Sequence, residues 1–157
     1  IKSKNGRLSL AHNGSSPAFI SRVSPFLESI AIDFKTVPKF MKTVTGLPSE
    51  IARNMYYTSL QSQEISSSSS VLTDTRTPVF DFTTLDDLLM MGSAINDITD
   101  RDNKFWTLRI YKKSINCNFT SPNREKVLWM AKEIKKEFPD LKIGIRANWD
   151  SSGLLFI

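Results

Sequence analysis

The alternation of apolar and polar residues is clearest between residues 105 and 120, where it has the period of two that is typical of β-strands. Apolar residues occupy even positions from 106 to 110 and odd positions from 115 to 119. A strand cannot change the parity of its apolar face without a break. We therefore predict two antiparallel strands, residues 105–111 and 114–120, joined by a turn, with a single bulged strand as the alternative.

Helices and further strands flank this predicted hairpin. Thr84 followed by Asp87 approximates a capping box at the start of one helix. Apolar residues at helical spacing predict a second helix over residues 122–138. Residues 141–147 alternate as a third strand, and residues 154–157 form a fourth strand at the edge of the sheet. The resulting order, α-β-β-α-β-β, predicts an α+β fold in which a two-layer sandwich contains an antiparallel sheet.

The first half of the chain has weaker patterns. Asn-Gly pairs interrupt the N-terminal residues, which predicts an extended segment. Ser24-Pro25 is a typical helix start, and Gly46 is placed to end another short helix. Five consecutive serines from Ser66 predict a linker, because a serine run cannot bury apolar surface. The predicted organisation is a basic extended arm (1–23), short helices (24–62), a Ser-rich linker (63–78) and the α+β domain (79–157).

Positive charge is concentrated at the two ends of the chain. The 157 residues carry a net charge of +5. Residues 1–27 contain four basic side chains and no acidic one, and residues 105–157 contain ten basic and five acidic side chains. This asymmetry favours a polyanionic partner such as RNA, although a basic excess can also serve solubility alone. The predicted RNA-binding residues are Lys2, Lys4, Arg7, Arg22, Arg109, Lys142 and Arg146.

One face of the predicted sheet points away from the core and contains basic and polar residues but no acidic residue. Arg109 and Arg146 lie on this face together with Tyr111. Arginines there would contact phosphates, and Tyr111 would contact a sugar or a base. The alternative is a polar face that is solvated or covered by protein, which is usual for one side of an antiparallel sheet.

Few residues are suited to catalysis or metal binding. His12 is the only histidine, and Cys117 is the only cysteine. Cys117 alternates with apolar neighbours, which predicts a small buried side chain in the core. The acidic residues between Asp97 and Asp102 do not have the spacing of a calcium loop, and no glycine-rich phosphate loop occurs. We predict no enzymatic activity, no cofactor, no metal and no small-molecule substrate.

These observations favour a non-catalytic structural subunit of a ribonucleoprotein, most plausibly a mitochondrial ribosomal protein. The serine-rich, acid-free N-terminal composition is typical of a mitochondrial targeting segment or of the residues immediately after such a segment. The predicted partners are rRNA and neighbouring protein subunits, without a membrane, in the mitochondrial matrix. The alternative is a protein–protein interaction subunit of a nuclear or cytosolic assembly.

Overall fold

A computed structural model describes residues 8–98, 102–113, 115, 117–147 and 153–157. Strands and helices alternate along most of the chain, and a short 3-10 turn at Ser24–Phe26 precedes the second strand. The elements in chain order are β1 (Ser9–His12), α1 (Pro17–Val23), β2 (Ser29–Asp33), α2 (Pro38–Thr45), α3 (Ser49–Ser67), β3 (Leu72–Val79), α4 (Leu85–Asn96), β4 (Lys104–Ile110), α5 (Arg124–Glu137), β5 (Ile143–Ala147) and β6 (Leu154–Phe156).

The strands form one six-stranded sheet in which the spatial order is the chain order, from β1 to β6. The first five strands are parallel, and only β6 runs antiparallel to its neighbour β5. Parallel strands need a crossover connection, which the intervening helices provide. The predicted α+β sandwich with an antiparallel sheet is therefore wrong, and the fold is α/β.

The helices cover one face of this sheet. α3 contacts β2 and β3, α5 contacts β4 and β5, and the other helices pack beside these two. Right-handed crossovers between sequential parallel strands place each helix on the same side, as in the wall of a β/α barrel. The core between the helices and the sheet includes Trp106, Leu108, Ile134 and Ile143, all fully buried. The opposite face of the sheet, which we call the open face, is available for other contacts.

The predictions of an extended arm and of short helices in the first half of the chain are wrong, because these residues contribute β1 and β2 to the sheet. Within the predicted extended arm, the described residues form β1 and α1. The helix predicted from Ser24-Pro25 ends after one 3-10 turn, and the chain continues as β2. Ile30, Ala31 and Ile32 are consecutive and all buried, so β2 lacks the alternation of apolar and polar residues that marks a half-buried strand.

The serine run is part of the packed domain rather than a linker. Residues 63–78 form the last turns of α3 and most of β3. Ser62 donates to the carbonyl oxygen of Gly14 at 2.9 Å, and the hydroxyls of Ser66 and Thr73 are hydrogen-bonded to each other. These bonds allow serine to face the sheet, because a buried hydroxyl costs little when it has a partner.

The predicted hairpin after Trp106 also fails. β4 matches the first predicted strand, but in the described part of residues 111–123 the chain forms a loop. Ile115 is fully exposed, and Cys117 is only partly buried, so Cys117 is not the core residue that its alternation predicts. Phe119 instead packs against Phe80, with a ring-centroid distance of 5.0 Å. The change of parity thus marks the end of a strand, not a turn between two strands.

Local signals at helix ends are confirmed. Thr84 and Asp87 form a complete capping box at the start of α4. Gly46 ends α2 with a φ of 71°, a left-handed conformation that favours glycine. The helix predicted over residues 122–138 is α5, and the edge strand predicted over residues 154–157 is β6. None of the helices in the described part of the chain has the length and apolarity needed to cross a bilayer.

Candidate functional site

The candidate site lies on the open face, where the parallel strands end. The carboxyl ends of β2, β3 and β4 and the residues after them line a cavity of about 190 Å³. Ligands of open α/β sheets bind at the carboxyl ends of the strands, because the loops after the strands meet there. We call this the charged cavity, and its lining residues are Asp33, Lys35, Arg76, Pro78, Arg109 and Tyr111.

Two ion pairs organise one side of the charged cavity. Lys35 Nζ lies 2.9 Å from Asp33 Oδ2, and Arg76 Nε lies 2.6 Å from Asp74 Oδ2. The Thr107 hydroxyl donates to Asp74 Oδ1 at 2.6 Å, which fixes this carboxylate between β3 and β4. The two pairs present both signs of charge at the end of the sheet, and the charges of these four side chains balance.

Two further arginines add positive charge beside these pairs. Arg109 and Arg146 are register partners on β4 and β5, so their side chains leave the same face of adjacent strands, about 5 Å apart. Partial burial lowers the pKa of Arg109, and the neighbouring Arg76 and Arg146 lower it further against the opposing effect of Asp33 and Asp74. Arginine stays protonated in proteins, so Arg109 adds a positive charge to this end of the sheet.

A second cavity, of about 320 Å³, adjoins the charged cavity on the open face. Both cavities are lined by Arg76. Ala31, Asp74 and Phe105 form one row across β2, β3 and β4 in this second cavity. Its floor toward β1 is made by the small side chains of Ser9 and Ala11. The small side chains at these strand positions leave room over the sheet for a flat group, with the Phe105 ring at one side.

The structure brings together only part of the predicted RNA-binding set. Arg109 and Arg146 are neighbours, as expected from their shared face. Lys142 is four residues before Arg146, a separation of about 13 Å at the rise per residue of a strand. Its ammonium donates to the carbonyl oxygen of Asp102 at 2.9 Å. Arg22 is in the last turn of α1, on the helical side of the sheet. Lys2, Lys4 and Arg7 lie outside the described residues.

The predicted acid-free face is wrong. Asp33 and Asp74 lie on the open face, because β2 and β3 belong to the same sheet as β4 and β5. The signal for β3 is present in the sequence: buried Thr73, Thr75 and Thr77 alternate with charged residues. Strict alternation over eight residues is a strand pattern, but threonine is polar, so a search for apolar alternation does not find it.

Metal chemistry has little support in the described part of the chain. No group of three or more His, Cys, Asp and Glu side chains suited to a metal ion occurs among the described residues. Cys117 lies in the loop after β4, where a hydrogen bond with Tyr111 and one with the Phe119 backbone lower the pKa of its thiol. A single partly exposed thiol provides one ligand at most.

Comparisons with known proteins identify a fold but no family. No family model and no curated protein matches the chain. Among solved structures, a radical SAM methyltransferase from Sphaerobacter thermophilus is similar, with a TM-score of 0.65 and 10% sequence identity. The similarity covers 90% of this chain and 40% of that chain, so the present chain spans less than half of that protein. At this identity the likeness shows the fold alone.

The fold overturns the predicted function. The structural ribonucleoprotein subunit depended on an antiparallel sandwich with an acid-free basic face, whereas the chain forms a parallel α/β sheet like that of the methyltransferase. The alternative, an interaction subunit that docks through its short helices, also fails. That reading took residues 24–62 as a separate set of short helices, whereas Met41 of α2 and Ala52 of α3 are buried in the core beneath the sheet.

Proposed function

We propose that these residues form the part of an enzyme that binds S-adenosylmethionine on the open face of the sheet. The observation that carries the proposal is the charged cavity, which presents the Asp33 carboxylate and several cations together at the carboxyl edge of a fold similar to that of a radical SAM methyltransferase. This proposal runs against the prediction of no enzymatic activity, which is untested. The predicted RNA partner and mitochondrial location stay predictions.

The amino-acid end of S-adenosylmethionine matches the two ion pairs. Its α-ammonium group would bind Asp33, and its α-carboxylate would bind Lys35 and Arg76. Hydrogen bonds between charged groups are stronger than neutral ones, and a guanidinium can hold a carboxylate with two parallel bonds. A zwitterionic end group placed between two opposite-charge pairs leaves the local charge balanced, so no ion is buried without a counterion.

The adenosyl end requires more space than the charged cavity has. A volume of about 190 Å³ is below the ~300–1,000 Å³ that is usual for small-molecule sites. The second cavity continues from Arg76 and has small side chains beneath it and the Phe105 ring at one side. An adenine ring there would lie over Ala31 and contact Phe105. Bound in this way, S-adenosylmethionine would supply an activated methyl group at its sulfonium.

An iron–sulfur cluster does not fit these residues. Such clusters, which serve radical chemistry with S-adenosylmethionine in some enzymes, are held by several cysteine thiolates. The 157 residues contain one cysteine. The proposal for this chain is therefore confined to holding and orienting S-adenosylmethionine.

Isothermal titration calorimetry of the purified 157-residue chain tests this function. We expect S-adenosylmethionine and free methionine to bind, because both have the amino-acid end that Asp33 and Lys35 recognise. Asp33→Asn and Lys35→Met should each weaken binding by about tenfold or more, the usual effect of losing a charged hydrogen bond. Lys132→Met is the matched control, because Lys132 is exposed on α5, on the opposite side of the sheet. Failure of both ligands to bind, or unchanged affinity in the two site variants, would contradict the proposal.

A further inference from the structure

We infer that the paired hydroxyls of Ser9 and Ser29 bind the edge of adenine that carries the amino group, which makes the second cavity a subsite for adenine nucleosides. The inference rests on the proposed S-adenosylmethionine site and names the two residues that determine its preference for the base. It goes beyond that site, because a nucleoside without an amino-acid end should also bind. Asp33 and Lys35, which we assign to the amino-acid end, take no part in it.

The hydroxyl pair lies on the open face, at the amino ends of β1 and β2. Ser9 and Ser29 are register partners, their Oγ atoms are 2.8 Å apart, and both residues line the second cavity. The pair is exposed to solvent, so water competes with this hydrogen bond, and the bond adds little to the stability of the fold. A polar pair that contributes little to folding is available to a ligand in the cavity.

The two hydroxyls offer a donor and acceptors side by side. One of their protons lies between the two oxygen atoms, which leaves one O–H group and several lone pairs for a ligand. Within the described part of the chain, neither hydroxyl has another hydrogen-bond partner. The edge of adenine has the matching groups, because its amino group donates and the ring nitrogen beside that group accepts.

The register of the strands places the pair at a suitable distance from the proposed position of the adenine ring. Ser29 is two residues before Ala31 on the same face of β2, a separation of about 7 Å at the rise per residue of a strand. This is roughly half the length of a purine plus a hydrogen bond of about 2.9 Å. An adenine ring over Ala31 therefore presents its edge to the hydroxyls. Asp33 is four residues after Ser29, about 13 Å away, so an extended S-adenosylmethionine reaches from the hydroxyl pair to the site of its amino-acid end.

Calorimetric titration of the 157-residue chain with adenosine and with purine riboside, which is adenosine without the amino group, tests the inference. We expect wild type to bind adenosine about three- to tenfold more tightly than purine riboside, the usual effect of one neutral hydrogen bond. The double variant Ser9→Ala with Ser29→Ala should bind the two nucleosides equally, with an affinity close to that of wild type for purine riboside. Ser93→Ala is the matched control, because Ser93 is exposed on α4, on the opposite side of the sheet. Circular dichroism establishes that each variant is folded.

Three results would overturn the inference: no saturable binding of adenosine, equal affinity of wild type for adenosine and purine riboside, or a double variant that prefers adenosine as strongly as wild type does. The comparison in wild type needs no variant, so it decides the question even if the double variant does not fold. The proposed function fails separately. Lys35→Met should weaken the binding of S-adenosylmethionine and of methionine and leave adenosine binding unchanged. Adenosine binding that depends on the hydroxyl pair, in a chain that binds neither S-adenosylmethionine nor methionine, would leave the nucleoside subsite standing and remove the proposed methyl donor.

Discussion

Charged side chains have different environments on the two faces of the sheet. On the helix-covered face, Lys104 is buried, and its ammonium donates to the carbonyl oxygens of Ile95 and Ile98 at 2.9 and 3.0 Å. Those carbonyls end α4, where a cation is favourable. On the open face, Arg109 and Arg146 are register partners on adjacent strands, and Arg146 is exposed. A buried charge such as Lys104 has its partners within the chain, whereas the charged groups on the open face lie at the carboxyl ends of parallel strands, where ligands of such sheets bind.

The hydroxyl groups of the covered face obey the same rule. Thr75 donates to Gln63 Oε1 at 2.7 Å, and Thr77 donates to the carbonyl oxygen of Phe34 at 2.7 Å. The Trp106 indole N–H donates to the Thr77 hydroxyl at 2.8 Å. These hydroxyls are thus tied to the backbone and to other side chains, although Gln63 Nε2 and Ser67 Oγ are buried without a hydrogen-bond partner among the described residues.

The largest expected difference between the faces is in packing. Leu108→Ala should reduce the free energy of unfolding by about 2–5 kcal/mol, because Leu108 is fully buried and its loss leaves a cavity. Phe105→Ala, three residues earlier on the open face, removes more carbon atoms but should cost under about 2 kcal/mol, because Phe105 is only partly buried. Urea unfolding of both variants measures the difference. An equal or larger loss at Phe105 would mean that the open face is also a packed face.

The sequence predicts several elements of the fold but not how the strands pair. The helices α4 and α5 and the strands β4, β5 and β6 were found, because each has apolar periodicity or a cap such as Thr84. The strand pairing could not be predicted, because alternation assigns residues to a face of the sheet but does not identify the neighbouring strand. β5 pairs parallel with β4 through α5, and nothing in the alternation of β4 distinguishes this from a hairpin.

Only a minority of the residues that line the charged cavity could be predicted, for the same reason. Arg109 and Arg146 were placed on one face by strand parity alone. Asp33 and Arg76 were missed, because β2 is a buried run that resembles a helix segment and β3 alternates threonine with charge. Their approach to Arg109 depends on long-range pairing across β2, β3 and β4, which no local pattern contains.

A smaller effect is expected on the helix-covered side of the sheet, where Asp87 should make the free energy of unfolding depend on pH. Burial alone would raise the pKa of Asp87, but hydrogen bonds from Lys39 and from the Thr84 side chain and backbone outweigh it and lower the pKa. Lys39 Nζ lies 2.7 Å from the carboxylate. Because the folded-state pKa is lowered, this stabilisation is complete above the unfolded-state value of about 3.9 and is lost as the pH falls through the folded-state pKa.

Asp87→Asn tests this balance. The variant should lose about 1 kcal/mol of unfolding free energy at pH 7, because an amide accepts weaker hydrogen bonds than a carboxylate. It should also show a shallower loss of stability than wild type below about pH 4. Asp86→Asn, at an exposed position in the same first turn of α4, is the control and should keep the wild-type pH profile. Identical acid profiles for wild type and Asp87→Asn would show that Asp87 is not the charge that the fold depends on.

The smallest expected effect on stability is at Arg146. The sign of the change in unfolding free energy distinguishes a residue that stabilises the fold from one that does not. If Arg146 served folding, Arg146→Met would destabilise the chain. We expect instead a change under about 0.5 kcal/mol, and at low salt a slight gain, because the variant removes a cation that disfavours the neighbouring Arg109. Urea unfolding at low salt and at about 1 M salt measures this, since the Debye length falls to about 3 Å at 1 M and the gain should vanish. A loss above about 1 kcal/mol in both buffers would place Arg146 among the residues that stabilise the fold.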